Sequence, residues 1–126
     1  MKAARVHEPG TIVVEEVPVP VLNEKEVLIR VHRVGICGTD AGVVNGRISA
    51  RLPVTLGHEF SGTIERLGSR SLGGFREGEP VVSAGGWGCK ECELCSQGQG
   101  IYCRKRFSLG RNIDGCMAEF IKVDYR

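Results

Sequence analysis

Glu26-Val27-Leu28-Ile29-Arg30-Val31-His32-Arg33-Val34 is the longest stretch of the chain that reads as one extended segment. Val27, Ile29 and Val31 fall on one alternating face, and a one-residue slip brings Val34 onto it. Shorter segments of the same kind surround it. Thr11 to Val17 is rich in β-branched residues and stops at Pro18 and Pro20. Ser61 to Leu67 alternates again, Val81-Val82 follows the Gly78-Glu79-Pro80 turn, and Ala118 to Val123 reads as a closing strand. Gly73-Gly74 and Gly85-Gly86 mark turns. Only Thr39 to Asn45 suggests a helix, of about two turns. Short strands at close spacing, with turn signals between them, predict a mainly β barrel or sandwich, since βαβ units need longer helices.

A chain of 126 residues is enough for one domain with a modest core. It is 41% apolar and 25% charged, with 17 basic against 15 acidic residues. A net charge of +2 gives no electrostatic reason to expect nucleic acid or an anionic membrane surface as partner. The short basic run Arg104-Lys105-Arg106 reads as a solvated face. No apolar run has the length of a membrane span. The start, Met1-Lys2-Ala3-Ala4-Arg5, has no apolar stretch behind it, so no secretory signal is expected there and a cytoplasmic location is. In a reducing compartment the six cysteines are better read as metal-bound, catalytic or buried thiols than as disulfides.

Four of them, Cys89, Cys92, Cys95 and Cys103, form C-x2-C-x2-C-x7-C. Four thiolates this close can fold a loop around one tetrahedral Zn²⁺ and leave no open position, which makes such a site structural. From Gly85 to Gly100 the only large apolar residues are Trp87 and Leu94, so metal would supply much of the lobe's folding energy. Zinc-peptide systems set that contribution on the order of 10 kcal/mol. An iron–sulfur cluster is the main rival. Bacterial ferredoxins, however, leave three residues before the last cysteine and follow it with proline, whereas here the gap is seven and Arg104 follows.

Two further segments carry ligand chemistry: Gly35-Ile36-Cys37-Gly38-Thr39-Asp40, and Gly57-His58-Glu59-Phe60-Ser61-Gly62. Thiolate plus imidazole is a zinc combination, and a catalytic zinc keeps one position open. Alone, Cys37 reads as a small core residue and His58 as a hydrogen-bonded, inert one. Gly62 excludes the helical H-E-x-x-H motif of metalloproteases.

Taken together, these segments resemble the zinc-dependent medium-chain dehydrogenase/reductase family. Its signature G-H-E-x-x-G-x5-G-x2-S stands here as Gly57, His58, Glu59, Gly62, Gly68 and Ser71. The C-G-T-D segment precedes it and the four-cysteine lobe follows it, in the family's order. Met1-Lys2-Ala3 and Gly115-Cys116-Met117-Ala118-Glu119-Phe120 also resemble the family, so the likeness covers essentially the whole chain.

The resemblance implies a GroES-like fold over residues 1–126: a partly open β-barrel with short helices and a structural-zinc lobe at about 85–107. It implies Cys37 and His58 as catalytic-zinc ligands, with Glu59 coordinating directly or entering during ligand exchange. Asp40 would accept from the non-ligating nitrogen of His58 and fix the ring. Thr39 would hydrogen-bond the substrate hydroxyl and begin a proton relay. Zinc would acidify an alcohol, polyol or sugar hydroxyl, and hydride would pass to NAD or NADP in the complete enzyme, expected to be a homo-oligomer.

Three departures qualify the likeness. The histidine that many relatives carry shortly after C-G-T-D is missing from Ala41-Gly42-Val43-Val44. Val44-Asn45-Gly46 resembles microbial aldose dehydrogenases, Tyr102 to Arg106 polyol dehydrogenases, and Gly115-Cys116 threonine dehydrogenases. The family's third zinc ligand lies beyond the end of this sequence, and Cys116, the spare thiol, reads as a small buried residue. No nucleotide-binding Rossmann fingerprint is present either: the nearest attempt at G-x-G-x-x-G, Gly98-Gln99-Gly100, meets Cys103 where glycine is required. The chain is therefore expected to be the catalytic domain of a dehydrogenase, inactive alone, with zinc fully occupying the lobe, a site held by Cys37 and His58 alone weak or empty, and apolar surface open where a cofactor domain would pack. The alternative is a non-enzymatic zinc-stabilised β-barrel binding module, and an iron–sulfur electron carrier stands behind both.

Overall fold

A computed structural model describes residues 1–69, 74–83 and 85–124. Ser71 of the signature and Gly73 of the first glycine pair lie outside the described residues. The strands are β1 (Lys2–Val6), β2 (Val13–Glu16), β3 (Glu26–Gly35), β4 (Val54–Thr55), β5 (Glu59–Leu67), β6 (Pro80–Val82), β7 (Gly86–Trp87), β8 (Phe107–Ser108) and β9 (Phe120–Asp124). Helix α1 (Gly38–Val44) lies within one residue of the expected span, and α2 (Glu93–Ser96) and a 3₁₀ turn (Gly100–Tyr102) belong to the cysteine lobe. No described helix is long and apolar enough to cross a membrane.

All strand pairs are antiparallel, in sheets of order β2-β1-β4, β6-β5-β3-β9 and β7-β8. Residues 117–119 stitch the first two sheets together. Ala4 N–H donates to the Met117 carbonyl at 2.8 Å, Glu119 N–H to Lys2 at 3.2 Å, and Val31 N–H to Glu119 at 3.0 Å. The result is the partly open, mainly β barrel that the family resemblance implied, where the strand pattern alone leaves barrel and sandwich open. The slip expected near Val34 is real: pairing with β5 shifts register between Val31 and Arg33, which returns Val34 to the inner side. Strand β1 was not legible as a strand, because Lys2-Ala3-Ala4-Arg5-Val6 has low β propensity and does not alternate. Its pairing on both sides, with β2 and β4, overrides that local weakness.

Two apolar clusters fill the barrel. One gathers Val27, Ile29, Phe60, Leu109, Cys116 and Ile121; the other gathers Val6, Val43, Val54 and Leu56. The segment Leu56-Gly57-His58 passes between them. Leu56 and Gly57 carbonyls accept the N–H groups of Met117 at 2.8 Å and Cys116 at 3.0 Å. This approach explains Gly57: at φ +90°, a Cβ there would sit 2.8 Å from both Cys116 Sγ and Met117 Cγ. Gly62 likewise has no room for a side chain, because its Cβ would enter the Arg30 carbonyl of the neighbouring strand.

Candidate metal centre

Strand β3 ends at Gly35 and delivers Cys37 to the N-terminal end of α1, while β5 begins at Glu59 and carries His58 just before it. Gly35 pairs with Glu59 across the two strands, so the two motifs are neighbours through the ladder. One ligand atom from each of Cys37, His58 and Glu59 lies within 4.8 Å of the other two. Sulfur, imidazole nitrogen and carboxylate oxygen form a donor set suited to zinc. Glu59 stands at the start of a strand, in keeping with the exclusion of a helical H-E-x-x-H motif.

Asp40 is buried, with 4% of its surface exposed, and its carboxylate is the hub of the site. Oδ2 accepts the Cys37 N–H at 2.8 Å and Oδ1 accepts the Gly57 N–H at 3.2 Å. His58 Nδ1 lies 3.5 Å from Oδ1, while Nε2 lies 3.7 Å from Glu59 Oε1. The ring therefore turns Nδ1 toward Asp40 and Nε2 toward the other donors. Thr39 Oγ1 lies 3.7 Å from Cys37 Sγ, so its hydroxyl borders the cluster. That Asp40 also holds two main-chain amides is hard to read from sequence. The available signal was the acid three positions after Cys37 at a helix start, where a carboxylate reaches back to the cap amide.

Cys116 is fully buried and does not join the Cys37 cluster; its thiol donates to the Glu59 carbonyl at 3.8 Å. Burial pushes that thiol up to about 12, with the nearby Asp40 and Glu59 carboxylates adding to the effect. At Gly42, in α1 after the C-G-T-D segment, a Cβ would fall 2.5 Å from Ile48 Cδ1, so a side chain there would require Ile48 to move.

The second cluster is the lobe. Cys89, Cys92, Cys95 and Cys103 bring their sulfurs within 4.8 Å of one another. The pairing of β7 with β8 closes its base, where Trp87 stacks on Phe107 with ring centroids 5.7 Å apart. Lys90 takes φ +65°, a left-handed turn for a residue with a side chain. The Glu91 amide donates to the Cys89 sulfur and, with further donors from Cys103 and Cys92, holds that thiol down at about 6. Partial burial and the neighbouring cysteines push Cys95 up to about 11. All six cysteines are free thiols.

Fold and site together define a GroES-like barrel with one loop-built Cys/His/Glu cluster and one four-cysteine lobe. The chain belongs to the alcohol dehydrogenase GroES-like domain family, which matches residues 23–126. It is 40% identical to sorbitol dehydrogenase of Bacillus subtilis (strain 168) over 128 residues, covering 98% of this chain and 36% of that protein. It is 37% identical to L-threonine 3-dehydrogenase of Bacillus licheniformis, covering 92% of this chain and 34% of that protein. A solved candidate zinc-binding dehydrogenase from Sinorhizobium meliloti 1021, bound to NADP, superposes with TM-score 0.91 at 33% identity, over 98% of this chain and 36% of that one. The chain thus spans about a third of the length of these relatives.

Proposed function

We propose that this chain is the catalytic domain of a zinc-dependent, NAD(P)-linked dehydrogenase that oxidises a hydroxyl group on a small alcohol, polyol or sugar in the cytoplasm. The observation that carries this reading is the convergence of Cys37, from the turn after β3, with His58 and Glu59, from the start of β5, backed by buried Asp40. A binding module on the same scaffold would have no use for Thr39, Asp40 and three metal donors in one place.

A zinc ion bound there would supply Lewis acidity, lowering the pKa of a hydroxyl brought to it. Cys37 and His58 would hold it and Glu59, more than half exposed, would complete the set on the open side. Asp40 keeps Nδ1 of His58 turned inward and anchors both loops through their amides, so the donors are positioned before any metal arrives. Thr39 borders the cluster and serves as first carrier of the substrate's proton. With Gly42 and Ile48 packed behind it, the helix offers no histidine to take that proton further. Ile36, 87% exposed beside Cys37, is apolar surface suited to cover by a cofactor-binding domain. Cys89, Cys92, Cys95 and Cys103 would hold a second, structural zinc, their enclosed four-sulfur set leaving no position for substrate.

The test is a chimera. This chain replaces the matching part of the Bacillus subtilis sorbitol dehydrogenase, and NAD(P) reduction is followed with polyols, aldoses and threonine. Turnover that is abolished by Cys37→Ser and His58→Ala supports the reading. A folded, zinc-loaded chimera without turnover on any of these substrates contradicts it.

A further inference from the structure

The candidate metal centre and the cysteine lobe are joined by a chain of hydrogen bonds in which one side chain, Ser83, is the middle link. The ladder between β5 and β6 runs through Ser61 and Val82, and is extended by Ser83 N–H donating to the Phe60 carbonyl at 3.0 Å. Among the described residues, the main-chain ladder between β5 and β6 is not continued past that bond. The His58 carbonyl is served instead by the Ser83 hydroxyl, which donates to it at 2.6 Å. Ser83 Oγ in turn accepts the Gly85 N–H at 2.8 Å. The Gly85 carbonyl in turn accepts Leu109 N–H at 3.3 Å, one residue beyond β8. Gly85 stands directly before β7, which leads into Cys89.

We infer that Ser83 is a positioning residue: its hydroxyl fixes the main chain of His58 and ties that ligand to the base of the cysteine lobe. This inference rests on the metal reading of the Cys37, His58 and Glu59 cluster only for its effect on metal affinity. The effect on the histidine itself does not depend on metal. The physical reason is local. His58 precedes β5 and, among the described residues, has no ladder partner on the β6 side, and its ring is held on the other side by a long 3.5 Å approach to Asp40. Without the hydroxyl, both the His58 carbonyl and the Gly85 amide lose their partner, and the backbone before β5 is free to turn. Alanine cannot replace the link, because it must both donate and accept; threonine can.

The experiment compares the unsubstituted chain with Ser83→Ala and Ser83→Thr, each with zinc in the lobe. Two readouts are taken: the ¹H–¹⁵N signals of the His58 ring, and Co²⁺ titration followed by visible absorption. Ser83→Ala is expected to shift or double the His58 signals and to weaken Co²⁺ binding at the Cys37 cluster about tenfold, the usual loss when a group supporting a ligand is removed. Lobe zinc content stays the same, and Ser83→Thr returns both readouts to the unsubstituted values. Unmoved His58 signals in folded Ser83→Ala protein overturn the inference. Failure of the unsubstituted chain to take up Co²⁺ counts against the metal reading instead, and the His58 signals then decide the role of Ser83.

Discussion

Oδ1 of Asp40 lies 3.5 Å from Nδ1 of His58, and the same atom accepts the amide of Gly57 immediately before it. A single buried carboxylate thus orients the imidazole, holds the loop on which it sits, and reaches back to the Cys37 amide at 2.8 Å.

Replacing Asp40 by alanine leaves two amides without acceptors, that of Gly57 buried and that of Cys37 partly so. Asp40→Ala is expected to lower stability by about 2–4 kcal/mol, measured by urea denaturation. Asp40→Asn, which keeps one acceptor oxygen, should lose about half as much. Equal stability of Asp40→Ala and the unsubstituted chain would show that these bonds contribute nothing.

Gly57 has no room for a side chain. Gly57→Ala must place a methyl group against Cys116 and Met117 at φ +90°, so a loss of about 3 kcal/mol is expected from strain and overpacking together. Thermal unfolding reads it directly, and a change under 1 kcal/mol is inconsistent with the packing described.

Alkaline pH tests the environment of Cys116. Burial raises its thiol from 9.0 to about 12, so the folded state keeps the proton longer than the unfolded chain does. The stability this contributes is intact below pH 9 and declines as pH rises from 9 toward 12. Urea midpoints between pH 8 and 11 should therefore fall less steeply in Cys116→Ala than in the unsubstituted chain. Parallel curves would contradict the assignment.

Several strand positions were legible from apolar alternation, most clearly β5, which buries Phe60, Gly62 and Ile64 in turn; β3 is less regular, burying Val27, Leu28 and Ile29 in succession. The lobe was legible because four close cysteines admit few alternatives. The short strands β4, β7 and β8 were not, since two-residue pairings follow from tertiary contact and leave no period in the sequence. Cys37, His58 and Glu59 could be listed from their motifs, but the ladder that seats Gly35 beside Glu59 is long-range information. Ser83 was invisible for a similar reason: a serine at a strand end carries no sign of the carbonyl it will meet 25 residues away.

Chelation of metal from the lobe should loosen residues 86–108, because little apolar material holds them apart from the Trp87–Phe107 stack. Trypsin is then expected to cut at Lys90, Arg104 and Lys105 much faster than in zinc-loaded protein. Unchanged cleavage would mean that the lobe folds without metal.

Anomalous diffraction at the zinc edge, from crystals of the zinc-soaked chain, bears most directly on the metal reading. Two peaks are predicted: one enclosed by the sulfurs of Cys89, Cys92, Cys95 and Cys103, and one touching Cys37 Sγ, a ring nitrogen of His58 and the Glu59 carboxylate. A lobe peak alone, with the second position empty at saturating zinc, would contradict the claim that these three side chains form a metal centre.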